Sequence, residues 1–244
     1  MSLKKAFLIF TLSLLPAFAD KDLASKEELY EGKEYTVAFR NPTDNPDLPN
    51  VLLIGDSISI GYTIDVRKTL HGKADVFRIP GNGKNSAHGQ KNIAKWLAMK
   101  PAKWDVIHFN WGLWDLCYRH PKSKVQGKRD KANGTITASL DDYRTNMEKI
   151  IAQLKKSDAQ LIWCTTTVVP EHEAGRKLGD DLKYNKVAAE IMKKNEITIN
   201  DLHAHALLKQ ADIQNKKGDV HYSKEGYAYL AQKVAHEIEV SLTK

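Results

Sequence analysis

From about residue 50 onward the chain alternates short apolar runs with longer amphipathic segments, and no other feature restricts its fold as strongly. The apolar runs are Val51 to Ile54, Ala74 to Ile79, Trp104 to Asn110, Gln160 to Thr166 and Ile197 to Asp201. Each is short, apolar and followed by a turn or a helical pattern, which predicts buried strands. Helices are predicted between them at Ile60 to Leu70, Ala87 to Met99, Leu140 to Lys155, Asp181 to Lys194 and Ser223 to Ser241. The last is the clearest: Ser223 can cap its start, and Tyr227, Leu230, Ala231, Val234 and Ile238 recur at helical spacing. Strands alternating with helices predict an α/β fold, a three-layer α/β/α sandwich around a five-stranded, mostly parallel sheet. Residues 20–50 read as an N-terminal extension carrying an extra edge strand at "EYTVAF".

With 244 residues, 42% of them hydrophobic, the chain can bury one substantial core, assigned here to residues 51–244. Residues 1–19 stand apart. Lys4 and Lys5, an apolar run from Ala6 to Leu15, Pro16 and the small-residue pattern Ala17-Phe18-Ala19 predict a signal peptide cleaved before Asp20. That run is well short of the roughly 20 residues a membrane-spanning helix needs, so the expected product is periplasmic or secreted and not inserted in a membrane. The formal charge is +7; Lys4 and Lys5 account for two of it, leaving +5 after cleavage. The lysines are spread over helix faces such as "KNIAKWLAMK", the pattern of a solvated surface, and nucleic acid is not an expected partner. One local excess, "RHPKSKVQGKRDK" from Arg119 to Lys131, reads as a surface insertion. Cys117 and Cys164 could bridge in an oxidising compartment, or Cys164 could sit as a buried free thiol in its apolar run.

Right-handed crossovers bring the carboxyl ends of parallel strands to one edge, where ligands bind. Ser57, in "VLLIGDSISIGYT", stands where the first strand ends and the first helix begins. A serine there can be a helix cap, or a nucleophile backed by amides able to hold an oxyanion. A nucleophilic serine needs a base near neutral pKa, and imidazole oriented by a carboxylate is the usual one. "GDVHYSKEGY" supplies both groups, Asp219 and His221, in the loop before the last helix, which opens on the same edge.

Four segments together, "GDSIS", "PGNGKNSAHG", "NWGLWDL" and "DVHYSKEGY", resemble in order and spacing the sequence blocks of the SGNH/GDSL hydrolase family, over about Val51 to Leu242. The resemblance implies a flavodoxin-like hydrolase fold, Ser57 as nucleophile, His221 as general base and Asp219 as the acid that orients it. It also implies an oxyanion hole from the N–H groups of Ser57 and of a glycine in the second block, Gly83, with Gly81 as rival. The family's third block is Gly-x-Asn-Asp, its Asn binding the oxyanion. Here it reads Gly112-Leu113-Trp114-Asp115, so Asn110 is the nearby amide that could substitute, while an indole N–H could donate one bond. The last block is one residue shorter than the family's Asp-x-x-His, so a Ser-His dyad helped by a backbone carbonyl stands beside the triad.

Asp56, Trp111 and Trp114 fall on the same rim and are substrate-binding candidates, the tryptophans as platforms for a sugar face; Trp104 reads as core. Glu171, His172 and Glu173 have metal-ligand residue types, but neighbours at i and i+2 with no partner elsewhere do not make a site. His203 and His205 read as polar surface positions at a strand-to-helix junction. The expectation is an exported serine esterase acting on an acyl ester, an acetylated carbohydrate above all, with no cofactor or metal. An acyltransferase or an inactive carbohydrate-binding protein on the same fold are the alternatives. The sequence does not fix the oligomeric state.

Overall fold

The computed structural model describes residues 34–101, 103–122 and 128–243. The expected leader and much of the extension lie outside them, as do Lys124 and its neighbours in the basic insertion.

Five strands, β1 (Asn50–Ile54), β2 (Asp75–Arg78), β3 (Val106–Phe109), β4 (Gln160–Cys164) and β5 (Thr198–Asn200), form one fully parallel sheet in the order β2-β1-β3-β4-β5. Every residue of β1 and β3 is buried, because strands sandwiched between helix layers must be apolar on both faces. Val51 pairs with Val76 on one side and Val106 on the other, and Val106 pairs in turn with Gln160. Among the described residues the five longest helices cover the sheet: α1 (Ser57–Thr69), α2 (Ser86–Leu97), α3 (Leu140–Leu154), α4 (Asp180–Lys194) and α5 (Lys224–Leu242). Because β2 lies to one side of β1 and the later strands to the other, right-handed crossovers send α1 and α5 to one face and α2, α3 and α4 to the opposite one. Polar caps fix where the helices begin. Asp56 accepts from the Ile58 N–H, Asn85 from His88 and Ser223 from Gly226, while Ser139 and Asp142 form a reciprocal capping box on α3.

The predicted strands and helices are present, shifted at their ends by up to three residues. The extra strand at "EYTVAF" is not. Glu34–Val37 is a single helical turn, and Val37 and Ala38 are buried, so their apolar character serves packing and not sheet pairing. The outer edge of β2 is closed instead by one side chain: Asn41 donates to Arg78 O at 3.0 Å and accepts from Arg78 N at 2.8 Å, imitating a neighbouring strand. His203 also departs from expectation, since it is buried with Nε2 2.9 Å from Asp181 Oδ2. His205 is partly covered by Tyr229, stacked 4.1 Å away. Cys117 and Cys164 are both buried and free.

Among the described residues no helix is long and apolar enough to cross a membrane. Beyond β3, a short antiparallel ladder of Tyr118–Arg119 against Thr135–Ile136 flanks the basic insertion. Backbone bonds from Tyr118 N to Gly175 O (2.6 Å) and from Lys131 N to Ala174 O (3.1 Å) fasten it to the loop that follows β4.

Candidate active site

Ser57 is the first residue of α1, separated from the carboxyl end of β1 by Gly55 and Asp56. Its N–H belongs to the first turn, where an α-helix leaves its amides without intrahelical acceptors and with a partial positive charge. Its hydroxyl faces the loop before α5: Ser57 Oγ lies 2.9 Å from His221 Nε2. On the other side of the ring, His221 Nδ1 is 2.7 Å from Asp219 Oδ1, which also accepts from the His221 backbone N–H at 3.1 Å. Asn215 Nδ2 approaches the second carboxylate oxygen at 3.2 Å. Burial pulls the Asp219 carboxyl upward, but the His221 side chain, its N–H and Asn215 outweigh it and hold the group below the ordinary carboxylate range.

The short Asp-x-His spacing therefore does not misdirect the carboxylate. The turn supplies the missing length: Gly218 adopts φ +77°, Asp219 N bonds Lys216 O, and Gln214 Nε2 holds Asp219 O at 2.6 Å. Val220 is buried in between, so Asp219 and His221 emerge on the same side.

Several expected rim residues are used by the fold itself. The Gly83 N–H is bound to Gly55 O at 2.9 Å and its carbonyl accepts from Trp111 Nε1 at 3.2 Å, so this amide is not offered to a ligand. Gly83 is glycine because a Cβ there would stand 2.7 Å from Gly55 O. Asn110 is also withdrawn: it lines a cavity of about 10 Å³ with Ile58, Ser59 and Tyr62, and its Nδ2 donates to Cys164 O at 2.6 Å. Asp56 is buried as the cap of α1; burial raises its carboxyl, opposed by the Ile58 N–H and by the charges of Arg176, His221 and Arg78. Trp111 is core, stacked on Trp96 and tilted against Phe109, and so is Trp104. Of the five candidates Asp56, Gly83, Asn110, Trp111 and Trp114, only Trp114 remains half-buried at the surface, and its indole N–H meets no acceptor among the described residues.

Three groups that carry the site were missed by reading the sequence. Arg78, fully buried, sends Nη2 to Gly55 O (3.1 Å), Asp56 O (3.1 Å) and Ser59 Oγ (2.6 Å), and Nη1 to Gly81 O (3.3 Å). It grips the peptide whose N–H is that of Ser57. The only sequence signal was a charge inside the apolar run "DVFRIP". Asp115, also fully buried, accepts from both the N–H and the hydroxyl of Ser86, joining the loop after β3 to the start of α2. Burial pushes its carboxyl up to about 7 although those two donors pull it back. Glu173, from the segment considered for metal, is buried between Arg129 (2.8 Å) and Arg176 (3.0 Å), and Arg176 reaches on to Leu113 O at 2.7 Å. Among the described residues no cluster of three or more metal-ligand side chains occurs.

Solved structures with the same fold include the acetyl xylan esterase AlAXEase, 18% identical over 78% of this chain and 99% of that one, TM-score 0.61. A lipase/acylhydrolase from Enterococcus faecalis is 18% identical over 79% and 96%, TM-score 0.63. Axe2, an acetylxylan esterase from Geobacillus stearothermophilus, is 19% identical over 78% and 94%, TM-score 0.62. No curated protein sequence matches the chain. The profile of the GDSL-like lipase/acylhydrolase family matches residues 53–229, a span that runs from β1 through Ser57, Asp219 and His221 into α5. The chain belongs to the GDSL-like lipase/acylhydrolase family and is a hydrolase of ester bonds.

Proposed function

We propose that the protein is an exported serine esterase that removes acyl groups, acetyl first among them, from a carbohydrate. The observation that carries the reading is the continuous line Ser57 Oγ to His221 Nε2 (2.9 Å) and His221 Nδ1 to Asp219 Oδ1 (2.7 Å). Ser57 Oγ attacks the ester carbonyl while Nε2 takes its proton, and Asp219 stabilises the imidazolium and keeps the ring in register. The proton then passes from Nε2 to the departing alcohol, leaving an acyl-serine. Water, deprotonated by the same nitrogen, releases the acid and restores the hydroxyl.

The tetrahedral oxyanion needs donors already in place. The Ser57 N–H is one, backed by the start of α1 and by the Arg78 guanidinium on the same peptide's carbonyl. Trp114 is the other in this reading, since it occupies the position of the family's asparagine and keeps its N–H available. Acetyl and carbohydrate as substrate classes are supported by the acetyl xylan esterases that share the fold, and export by the leader pattern of residues 1–19.

The test compares native and Ser57→Ala protein on 4-nitrophenyl acetate, on longer-chain 4-nitrophenyl esters and on acetylated xylooligosaccharides. Native turnover of the acetates, absent in Ser57→Ala, is expected. Equal rates in the two proteins would remove Ser57 as nucleophile, and a preference for long chains would remove acetyl.

A further inference from the structure

The loop after β3 and the insertion it leads into bring three guanidinium groups together, those of Arg119, Arg129 and Arg176. Arg129 and Arg176 both bind the single buried carboxylate of Glu173. Arg119 feels the charge of Glu173 but makes no direct ion pair with it. Its Cζ lies 4.7 Å over the centre of the Trp114 ring, and among the described residues its guanidinium has no hydrogen-bond or ion-pair partner. Glu173 is spoken for by the other two: Arg129, the most exposed of the three, and Arg176, the most buried, hold it directly, while Arg119 lies half-buried on an aromatic surface with no carboxylate bonded to it.

The position is set by the sheet. Ile54 and Phe109 are paired neighbours, so the segments that follow them, one carrying Ser57 and the other Trp114 and Arg119, leave the same edge side by side. Arg176 Nε donates at 2.7 Å to the carbonyl of Leu113, the residue before Trp114, and its charge opposes the burial that raises the carboxyl of Asp56, the residue before Ser57. A guanidinium laid on an indole keeps its planar fork of donors free at the edge, which suits a carboxylate bound through both oxygens.

We propose that Arg119, held on Trp114, is a carboxylate-binding subsite beside the scissile ester, so that the preferred substrate is an acylated sugar bearing a carboxylate. The inference rests on the esterase reading for its substrate, but the anion site itself does not require turnover. Arg129 and Arg176, neutralised in part by Glu173, act as support that keeps the insertion and its arginine in place.

The test uses two acetylated methyl glycosides that differ in one group, a uronic acid and its methyl ester. At low salt the native protein should favour the free acid about tenfold in kcat/KM, mainly through KM, and the preference should shrink as salt rises. Arg119→Gln should bring the ratio close to one, Arg119→Lys should keep part of it, and Lys131→Gln, an exposed lysine of the same insertion, should keep all of it. Binding of the unacetylated methyl uronate, followed by tryptophan fluorescence in Ser57→Ala and in Ser57→Ala/Arg119→Gln, reads the subsite without chemistry. Uronate binding that is lost with Arg119 supports the subsite even if no ester is turned over, in which case the esterase reading alone falls. Uronate binding indifferent to Arg119, no uronate binding, or an acid preference that survives Arg119→Gln would overturn it.

Discussion

Replacing Asp219 with asparagine tests the triad at the residue whose spacing departs from the family. The amide keeps an oxygen that can accept from His221 Nδ1, so the change removes the charge while leaving a means of orienting the ring. As Nε2 takes the serine proton, imidazolium and carboxylate face each other with charge centres ~4 Å apart, an attraction of about 4 kcal/mol at an effective dielectric near 20. The His221 side chain is 38% exposed and that of Asp219 13%, so water screens part of this. About 2–3 kcal/mol then remains in the transition state, a loss of roughly 30- to 150-fold in kcat with KM little changed. His221→Ala and Ser57→Ala each disable the whole unit and should cost about 10⁴-fold or more. Initial rates on 4-nitrophenyl acetate at neutral pH, with thermal melts to confirm folding, give the comparison. Asp219→Asn activity within about threefold of native would refute the argument and hand the orientation of His221 to backbone contacts alone.

Trp114→Phe keeps the ring beneath Arg119 and deletes the indole N–H; loss of one oxyanion donor at a half-exposed position should lower kcat about 10- to 100-fold, and unchanged kcat would remove Trp114 from the oxyanion hole. Arg78→Lys leaves several buried carbonyls at the Ser57 turn without donors, so urea unfolding should show about 2–4 kcal/mol of lost stability together with a fall in kcat; full activity at reduced stability would limit Arg78 to a structural part. His108 is buried, and desolvation lowers its pKa to about 3. The native protein thus keeps it neutral where the unfolded chain, with an ordinary value near 6.5, binds a proton. The contribution is complete above about 6.5 and is lost as pH falls toward 3, on the order of 5 kcal/mol in all. His108→Gln should flatten that acid limb in urea midpoints taken from neutral to acid pH, and parallel profiles would contradict the assignment.

What could be read from the sequence was what is local. Each main strand is a continuous apolar run because both faces of the sheet are covered, and Ser57 and His221 could be placed because strand ends of a parallel sheet share an edge. Asp219 looked poorly aimed, since residue spacing says nothing of a turn bent by Gly218 at positive φ. Trp111 and Trp114 are three residues apart in an irregular segment, where no period tells which ring turns inward; Trp111 went to the core and Trp114 to the rim. Gly83 and Asn110 were credited with donors for a ligand, yet both satisfy backbone carbonyls of neighbouring elements, Gly55 and Cys164. Such long-range pairings are invisible to pattern, as was the Arg78 grip on the Ser57 turn. The strand proposed at "EYTVAF" failed because apolar residues show only that something is buried, and helical turns bury them as well as strands do.

The Arg78 guanidinium also has a consequence for how the site breathes. It is bonded at once to Gly55 and Asp56, which lead into α1, and to Gly81, in the loop that leads to α2, and the Gly83 N–H closes the same circle onto Gly55. Neither loop can open without breaking the other's bonds, so the two form a single cooperative unit of local unfolding. In hydrogen exchange the amides of Ile60, in the first turn of α1, and of Gly83, in the loop before α2, bond to Asp56 O and Gly55 O and should share one opening free energy. Arg78→Lys should divide that shared value into two lower, unequal ones.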